Sequence, residues 1–242
     1  MLINKIKVSF SYYEIYTTCL RALSAIGFPY GADEDAAFIV SWLELNRLNG
    51  LKNLVSLLRK KNRKYNGTLN TKNLFIKNKI NIKKSSLLMK GPGLFDLLGQ
   101  RFIKKNNDQY IIENCIDPIF VIPLAERLCK NNIYLNSYWL EQNFLIEARS
   151  SVDNTIIKRS KRISGIKKNQ IILELSKKRL LSKLNTKIYS MINKRSTQKR
   201  LGEAISPNIK NWKIVSSFAD KSFVPESKES RKKGAGGGDD ND

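Results

Sequence analysis

The chain has 242 residues, 41% of them hydrophobic, with 44 Lys and Arg against 21 Asp and Glu and a net charge of +23. That length and apolar content suffice for one large or two small cores, and 9% aromatic residues exclude wholesale disorder. Histidine is absent, which removes the commonest general base and the commonest metal ligand from any mechanism.

The opening segment, MLINKIKVSFSYYE, has no continuous apolar stretch and no small-residue cleavage site, so no secretory signal is expected. No apolar run reaches the length of about eighteen residues that a spanning helix needs. Cys19, Cys115 and Cys129 are odd in number and widely spaced, as expected for reduced thiols in a cytoplasmic protein. Burial of Cys19 on an apolar helix face outweighs reactivity.

Ser11-Tyr12-Tyr13-Glu14 is a capping box, and Phe10 and Ile15 flank it as a hydrophobic staple. Ile15, Cys19, Ala22, Leu23 and Ile26 follow at spacings of three and four, which predicts an amphipathic helix ending at Gly27. A second helix opens in Asp33-Glu34-Asp35, where negative charge suits the N-terminal dipole, and is expected to end at Gly50. A third is expected near Leu51–Lys60. Tyr65-Asn66-Gly67-Thr68 reads as a turn, and 73–82 as short strands. Gly91-Pro92-Gly93 is expected to break the chain before a short helix over 94–99. Strands are expected at 109–114, 133–139, 143–147 and 170–175, the second and third as antiparallel neighbours. The segment 119–122 is open between a strand and the entry to a helix over Pro123–Asn131, where proline suits the first turn. Helices are expected over 177–185 and 208–221, the latter anchored by Trp212, Val215 and Phe218. The pattern is α/β or α+β: a helical N-terminal unit (1–60), a mixed-sheet body with covering helices (61–222), and a Gly- and Asp-rich tail (223–242).

Charge is unevenly spread. Residues 51–90 carry 12 Lys or Arg and no acid, and residues 151–200 carry 15 against 2. Such segments suit a polyanion footprint. They equally suit solvated faces in a chain rich in Lys, Asn and Ile, and the few interleaved aromatics and missing nucleic-acid signatures favour the second reading.

Three constellations invite chemistry. Met89-Lys90-Gly91-Pro92-Gly93 places glycines after a basic residue, but its spacing matches neither a P-loop nor a dinucleotide fingerprint, so a plain turn is favoured. Asp117-Pro118 caps the following element or sets a carboxylate at a cleft, and the cap is favoured. In the tail, Ser230 and Arg231 precede Gly234 and Gly236. Arg231 offers a bidentate cation and the glycines offer unhindered backbone donors, an arrangement suited to an anion. A solvated chain end is the alternative.

Val8-Ser9, Ala25-Ile26-Gly27, Glu34-Asp35-Ala36 and the run Leu43 through Gly50 resemble the N-terminal helices of the type 2 malate/L-lactate dehydrogenases. In that family the second helix leads into a Ser-His-Gly motif that supplies the catalytic histidine. This chain reads Leu48-Asn49-Gly50-Leu51-Lys52 there. Ser11–Gly27, Asp117–Leu128 and Val224–Asp242 also resemble a bacterial family of similar length whose function is unknown. The resemblances imply a dehydrogenase-like N-terminus and no particular reaction. The expected activity is binding of a small anionic metabolite or nucleotide by a catalytically altered relative, with Ser230, Arg231, Gly234 and Gly236 as ligand contacts. Non-sequence-specific nucleic-acid binding through 51–90 and 151–200 is the alternative. No cofactor or metal is assigned, no membrane partner is expected, and self-association is left open.

Overall fold

The computed structural model describes residues 8–60, 64–161 and 165–222. Among these, eight α-helices pack on a mixed seven-stranded sheet. Helix α1 (Tyr12–Ala25) begins at the expected capping box: Ser11 Oγ accepts the Glu14 N–H at 3.1 Å, and Glu14 Oε2 accepts the Ser11 N–H at 2.7 Å. Gly27 follows it at φ +89°, a conformation glycine takes without strain. Helix α2 (Ala32–Leu45) carries Asp33, Glu34 and Asp35 in its first turn. It stops well before Gly50, which instead opens α3 (Gly50–Leu58). A Cβ at Gly50 would collide with the Val40 carbonyl oxygen and stand 2.9 Å from the Glu44 nitrogen. The glycine is there because two helix backbones meet, and it terminates neither.

Helix α4 (Lys72–Lys77) and strand β1 (Lys79–Asn81) replace the short strands expected over 73–82. Helix α5 (Leu87–Phe102) runs straight through Gly91-Pro92-Gly93, so the expected chain break is corrected. Cβ atoms at Gly91 and Gly99 would lie 2.5 Å from Leu124 Cδ1 and 2.7 Å from Leu128 Cδ1. Two glycines eight residues apart thus leave a groove for two leucines four apart on α6 (Val121–Cys129). A 3-10 turn over Pro118–Phe120 leads into α6 and resolves the open assignment at 119–122 in favour of a helix entry.

The sheet contains β1, β2 (Asn107–Glu113), β3 (Tyr134–Glu141), β4 (Phe144–Ser150), β5 (Asn154–Lys161), β6 (Ile171–Ser176) and β7 (Ile188–Asn193), in the order β1-β2-β6-β3-β4-β5-β7. Among the described residues only the β1–β2 pair is parallel. The helix expected over 177–185 is absent; that segment is a strap across one sheet face. Helix α7 (Lys194–Leu201) follows β7, and α8 (Ile209–Ala219) is capped by Asn208, whose Oδ1 accepts the N–H groups of Lys210 and Asn211.

One large hydrophobic cluster takes in Ile15, Leu23, Val40, Leu54, Leu98, Phe120, Leu173 and Val215. Helix α8 packs on α1 and α3 from the far end of the chain. Phe10 stacks on Trp212 with ring centroids 3.9 Å apart, and the Phe10 and Ile205 backbones bond to each other. The first three helices therefore close over a core to which distant residues contribute. Cys19, Cys115 and Cys129 are buried and unpaired. No described helix is long and apolar enough to cross a membrane.

Candidate functional site

Helix α3 organises the site. Leu51, Leu54 and Leu58 turn into the core. Asn49, Asn53, Ser56 and Lys60 recur at intervals of four, three and four residues, which sets them along another face. The turn feeding this helix is tight: Arg47 and Asn49 both adopt left-handed backbone angles, φ +62° and +54°. Asn49 is the exposed N-cap residue and makes no side-chain cap. Glu44 does that work from α2. Its Oε2 accepts the Leu51 N–H at 2.9 Å, satisfying one of the orphan donors at the α3 N-terminus. Burial raises the Glu44 pKa, and the backbone bonds from Leu51 and Gly50 oppose the rise.

Asn53, Ser56, Leu57 and Lys60 form one wall of a cleft of about 590 Å³ between α3 and the sheet. The opposite wall comes from the loop after β2, the β3–β4 turn and the loop before β6, which contribute Asp117, Glu141 to Asn143, and Lys168 to Gln170. Cys115 N–H donates to the Asn169 carbonyl at 2.8 Å, tying two of these loops together. Asp117 has a double role. Its Oδ1 accepts the Leu87 N–H at 2.9 Å, so it caps α5 across the fold, while Ser86 Oγ caps the same helix from within by accepting the Leu88 N–H. The sequence reading favoured a cap on the element that follows; the carboxylate caps an earlier helix and also faces the cleft.

Burial pushes the Asp117 carboxyl up to about 6, against the lowering effects of Ser86, the Leu87 N–H and Lys60. A carboxyl that exchanges its proton near neutrality in a cleft is a group with catalytic capacity. Cys115 lies 3.9 Å from it, but burial, followed by the Asp117 charge, holds that thiol well above its ordinary range. It is not a thiolate nucleophile. Lys60 and Lys168 bring positive charge to the two walls. The cleft thus offers two ammonium groups, several amides, the Glu141 carboxylate and, in Asp117, one group able to hold a proton. A larger groove of about 1060 Å³ runs between α5 and α6, but Phe95, Phe102, Leu124 and Leu128 dominate it, and its Arg127 is held by Asp35 at 2.7 Å.

Ser230, Arg231, Gly234 and Gly236 lie outside the described residues. Met89 to Gly93 forms no phosphate loop: Lys90 points to the Thr68 carbonyl at 2.7 Å, and burial lowers its pKa. Sequence reasoning singled out Asp117 but missed Lys168 and the β3–β4 turn. Their only sequence signal is a short polar break between strands. Groups of three or more Cys, Asp or Glu positioned to hold a metal are absent among the described residues.

Residues 10–83, which span α1 to β1 and include the α3 wall, match the family described as protein of unknown function (DUF3726). No curated protein matches the chain by sequence. Among solved structures, sulfolactate dehydrogenase from Methanocaldococcus jannaschii aligns with a TM-score of 0.60 at 7% identity, covering 89% of this chain and 97% of that one. Malate dehydrogenase from Pyrococcus horikoshii gives 0.59 at 8%, covering 94% and 99%. A dehydrogenase from Sinorhizobium meliloti gives 0.58 at 9%, covering 88% and 99%. The chain shares the fold of these dehydrogenases. With 88% or more of the chain covered, the likeness extends beyond the helical N-terminus, where the sequence resemblance was seen. At such identities it establishes architecture alone.

Proposed function

We propose that this chain binds a small anionic metabolite in the cleft between α3 and the sheet, as a catalytically altered relative of the type 2 malate/lactate dehydrogenases. One observation carries the reading. The cleft walls carry the two ammonium groups of Lys60 and Lys168 and the amides of Asn53 and Gln170, in a chain with no histidine. Amides such as those of Asn53 and Gln170 donate and accept hydrogen bonds but do not take up a proton near neutral pH, so they orient a carbonyl or hydroxyl without driving hydride chemistry by general acid–base catalysis. Lys60 and Lys168 supply the attraction for a carboxylate, and Asn53 and Gln170 supply directional polar contacts. Arg231, with Ser230, Gly234 and Gly236, is proposed as a further anion contact from the tail.

Thermal-shift and calorimetric titrations with oxaloacetate, pyruvate, malate and lactate, each with and without NADH, test the proposal. Saturable stabilisation by at least one acid, weakened roughly tenfold or more by Lys168→Ala, is expected. Absorbance at the nicotinamide band should stay constant. Sustained NADH oxidation would show that the chain is an active dehydrogenase, and absence of stabilisation by every acid would remove the binding reading. For the tail, amides from Ser230 onward should exchange more slowly with the bound acid than without it. Free-peptide exchange in both states would take the tail out of the site.

A further inference from the structure

On the sheet face opposite the main core the strap over residues 177–187 crosses β3, β4 and β5. Its anchors are specific. Asn136 Nδ2 donates to the Leu181 carbonyl at 3.2 Å, and Lys158 Nζ donates to the Leu184 carbonyl at 2.8 Å. Glu147, wholly buried, accepts the Ser182 hydroxyl at 2.5 Å and the Lys183 N–H at 2.9 Å. Lys183 in turn pairs with Glu174. The nearby carboxylates of the sheet are thus occupied by the strap.

These anchors place Arg179 over the start of β3 and the end of β4, where Arg149 rises from the sheet opposite Asn136. The two guanidinium groups line one cavity of about 180 Å³ with Tyr134, Ser151, Asn154 and Asp153. Neither arginine side chain makes a hydrogen bond or an ion pair among the described residues, and Arg149 Nε is buried with no partner. The one carboxylate in the cavity, Asp153, pairs with neither. Two like charges on separate elements facing one space are unfavourable, and a buried guanidinium donor without an acceptor is costly. Both penalties are relieved by a single anion that accepts from the two forks.

We propose that Arg149 and Arg179 form a binding site for a phosphate group, as the free anion or on a small monoester. The cavity is below the size of sites for drug-sized ligands, which run from roughly 300 Å³, so a dinucleotide does not fit within it. The site is separate from the α3 cleft. The cavity borders β3 near Tyr134 and Asn136 and the cleft borders it near Leu140 and Glu141, roughly 15 Å along the strand at about 3.3 Å per residue.

Calorimetric titration of the full chain with inorganic phosphate and with glycerol phosphate, at constant ionic strength, tests the proposal. Saturable binding of at least one probe is expected. Arg179→Ala should weaken it roughly tenfold or more, through loss of charge-assisted hydrogen bonds. Arg179 is exposed, so this variant keeps the fold even where Arg149→Met does not. Lys168→Ala, in the other cleft, should leave phosphate binding unchanged, which separates this site from the anion site proposed above. Tighter binding of the monoester identifies the cavity as a subsite for a phosphorylated metabolite, and tighter binding of inorganic phosphate identifies a free-ion site. Absence of saturable binding with both probes, or wild-type affinity in Arg179→Ala, overturns the proposal.

Discussion

Asp117 shows how one side chain links folding to the candidate site. It caps α5, lines the cleft beside α3 and titrates far from its ordinary value, because burial raises its carboxyl from 3.8 to about 6. The raised folded pKa means that the native state binds this proton more tightly than the unfolded chain does. The corresponding stability is present below about pH 4 and is lost as the pH rises through about 6, up to about 3 kcal/mol for the full shift. Asp117→Asn keeps an oxygen to accept the Leu87 N–H and removes the titration. Urea denaturation between pH 4 and 7 should show a downward slope for the parent chain and a shallower one for the variant; equal slopes would place the titration elsewhere. The sequence displayed Asp117 before a proline and offered a cap on the following element or a carboxylate at a cleft; the structure sets it at the cleft and gives its cap to the earlier helix α5 instead. Nothing in the sequence signalled Lys168 as a partner across the cleft, because that proximity arises from loops at the ends of β2 and β6, far apart in the chain.

Glycine contacts between helices divide into two kinds, and substitution should tell them apart. At Gly50 a side chain meets the α2 backbone, the Val40 carbonyl and the Glu44 nitrogen, neither of which moves without separating the helices. Gly50→Ala should therefore cost at least about 2 kcal/mol and shift the denaturation midpoint accordingly. At Gly99 a side chain meets only the tip of Leu128, which has rotamers to yield, and alanine is favoured in helices by up to about 1 kcal/mol. Gly99→Ala should stay within about 1 kcal/mol of neutral; equal losses at both positions would refute the distinction. The same contrast explains what was legible. Helix α1 was readable because its cap and apolar stripe are local, and α8 because Trp212, Val215 and Phe218 repeat at helical spacing. Gly91-Pro92-Gly93 was misread as a break because the reason for glycine at 91 is Leu124 on another helix. The segment 177–185 was misread as a helix because its backbone partners are Asn136, Lys158 and Glu147, side chains from three different strands. Strand β5 escaped notice because its charged residues break the apolar alternation. Arg159 is accommodated there by stacking on Phe144, 3.6 Å from the ring centroid.

Across the whole molecule the excess of positive charge is dispersed. The described Lys and Arg of 51–90 fall on α3 and the stretch just after it, α4, β1, the Lys83-Lys84 turn and α5, and those of 151–200 on β5, the loop before β6, the strap and α7. Lys79 lies on β1 at one edge of the sheet and α7 follows β7 at the other, edges separated by six inter-strand spacings, roughly 29 Å at about 4.8 Å each. Several cations are also engaged internally: Lys90 with Thr68, Lys158 with Leu184, Lys183 with Glu174, and Arg159 with Phe144. Dispersed, partly committed charge does not make the continuous stripe that follows a phosphate backbone. What remains is a diffuse positive field, which attracts polyanions at low salt and is screened within about 10 Å at 0.1 M. Duplex DNA should therefore bind this chain at low ionic strength and lose nearly all affinity near 150 mM salt, as followed by fluorescence anisotropy of a labelled duplex. A protein making several phosphate contacts would still bind there at micromolar concentration or tighter. Such a result would move the basic segments from solvated faces to a nucleic-acid surface, and Lys and Arg substitutions on α7 would then be the first to reduce the salt slope.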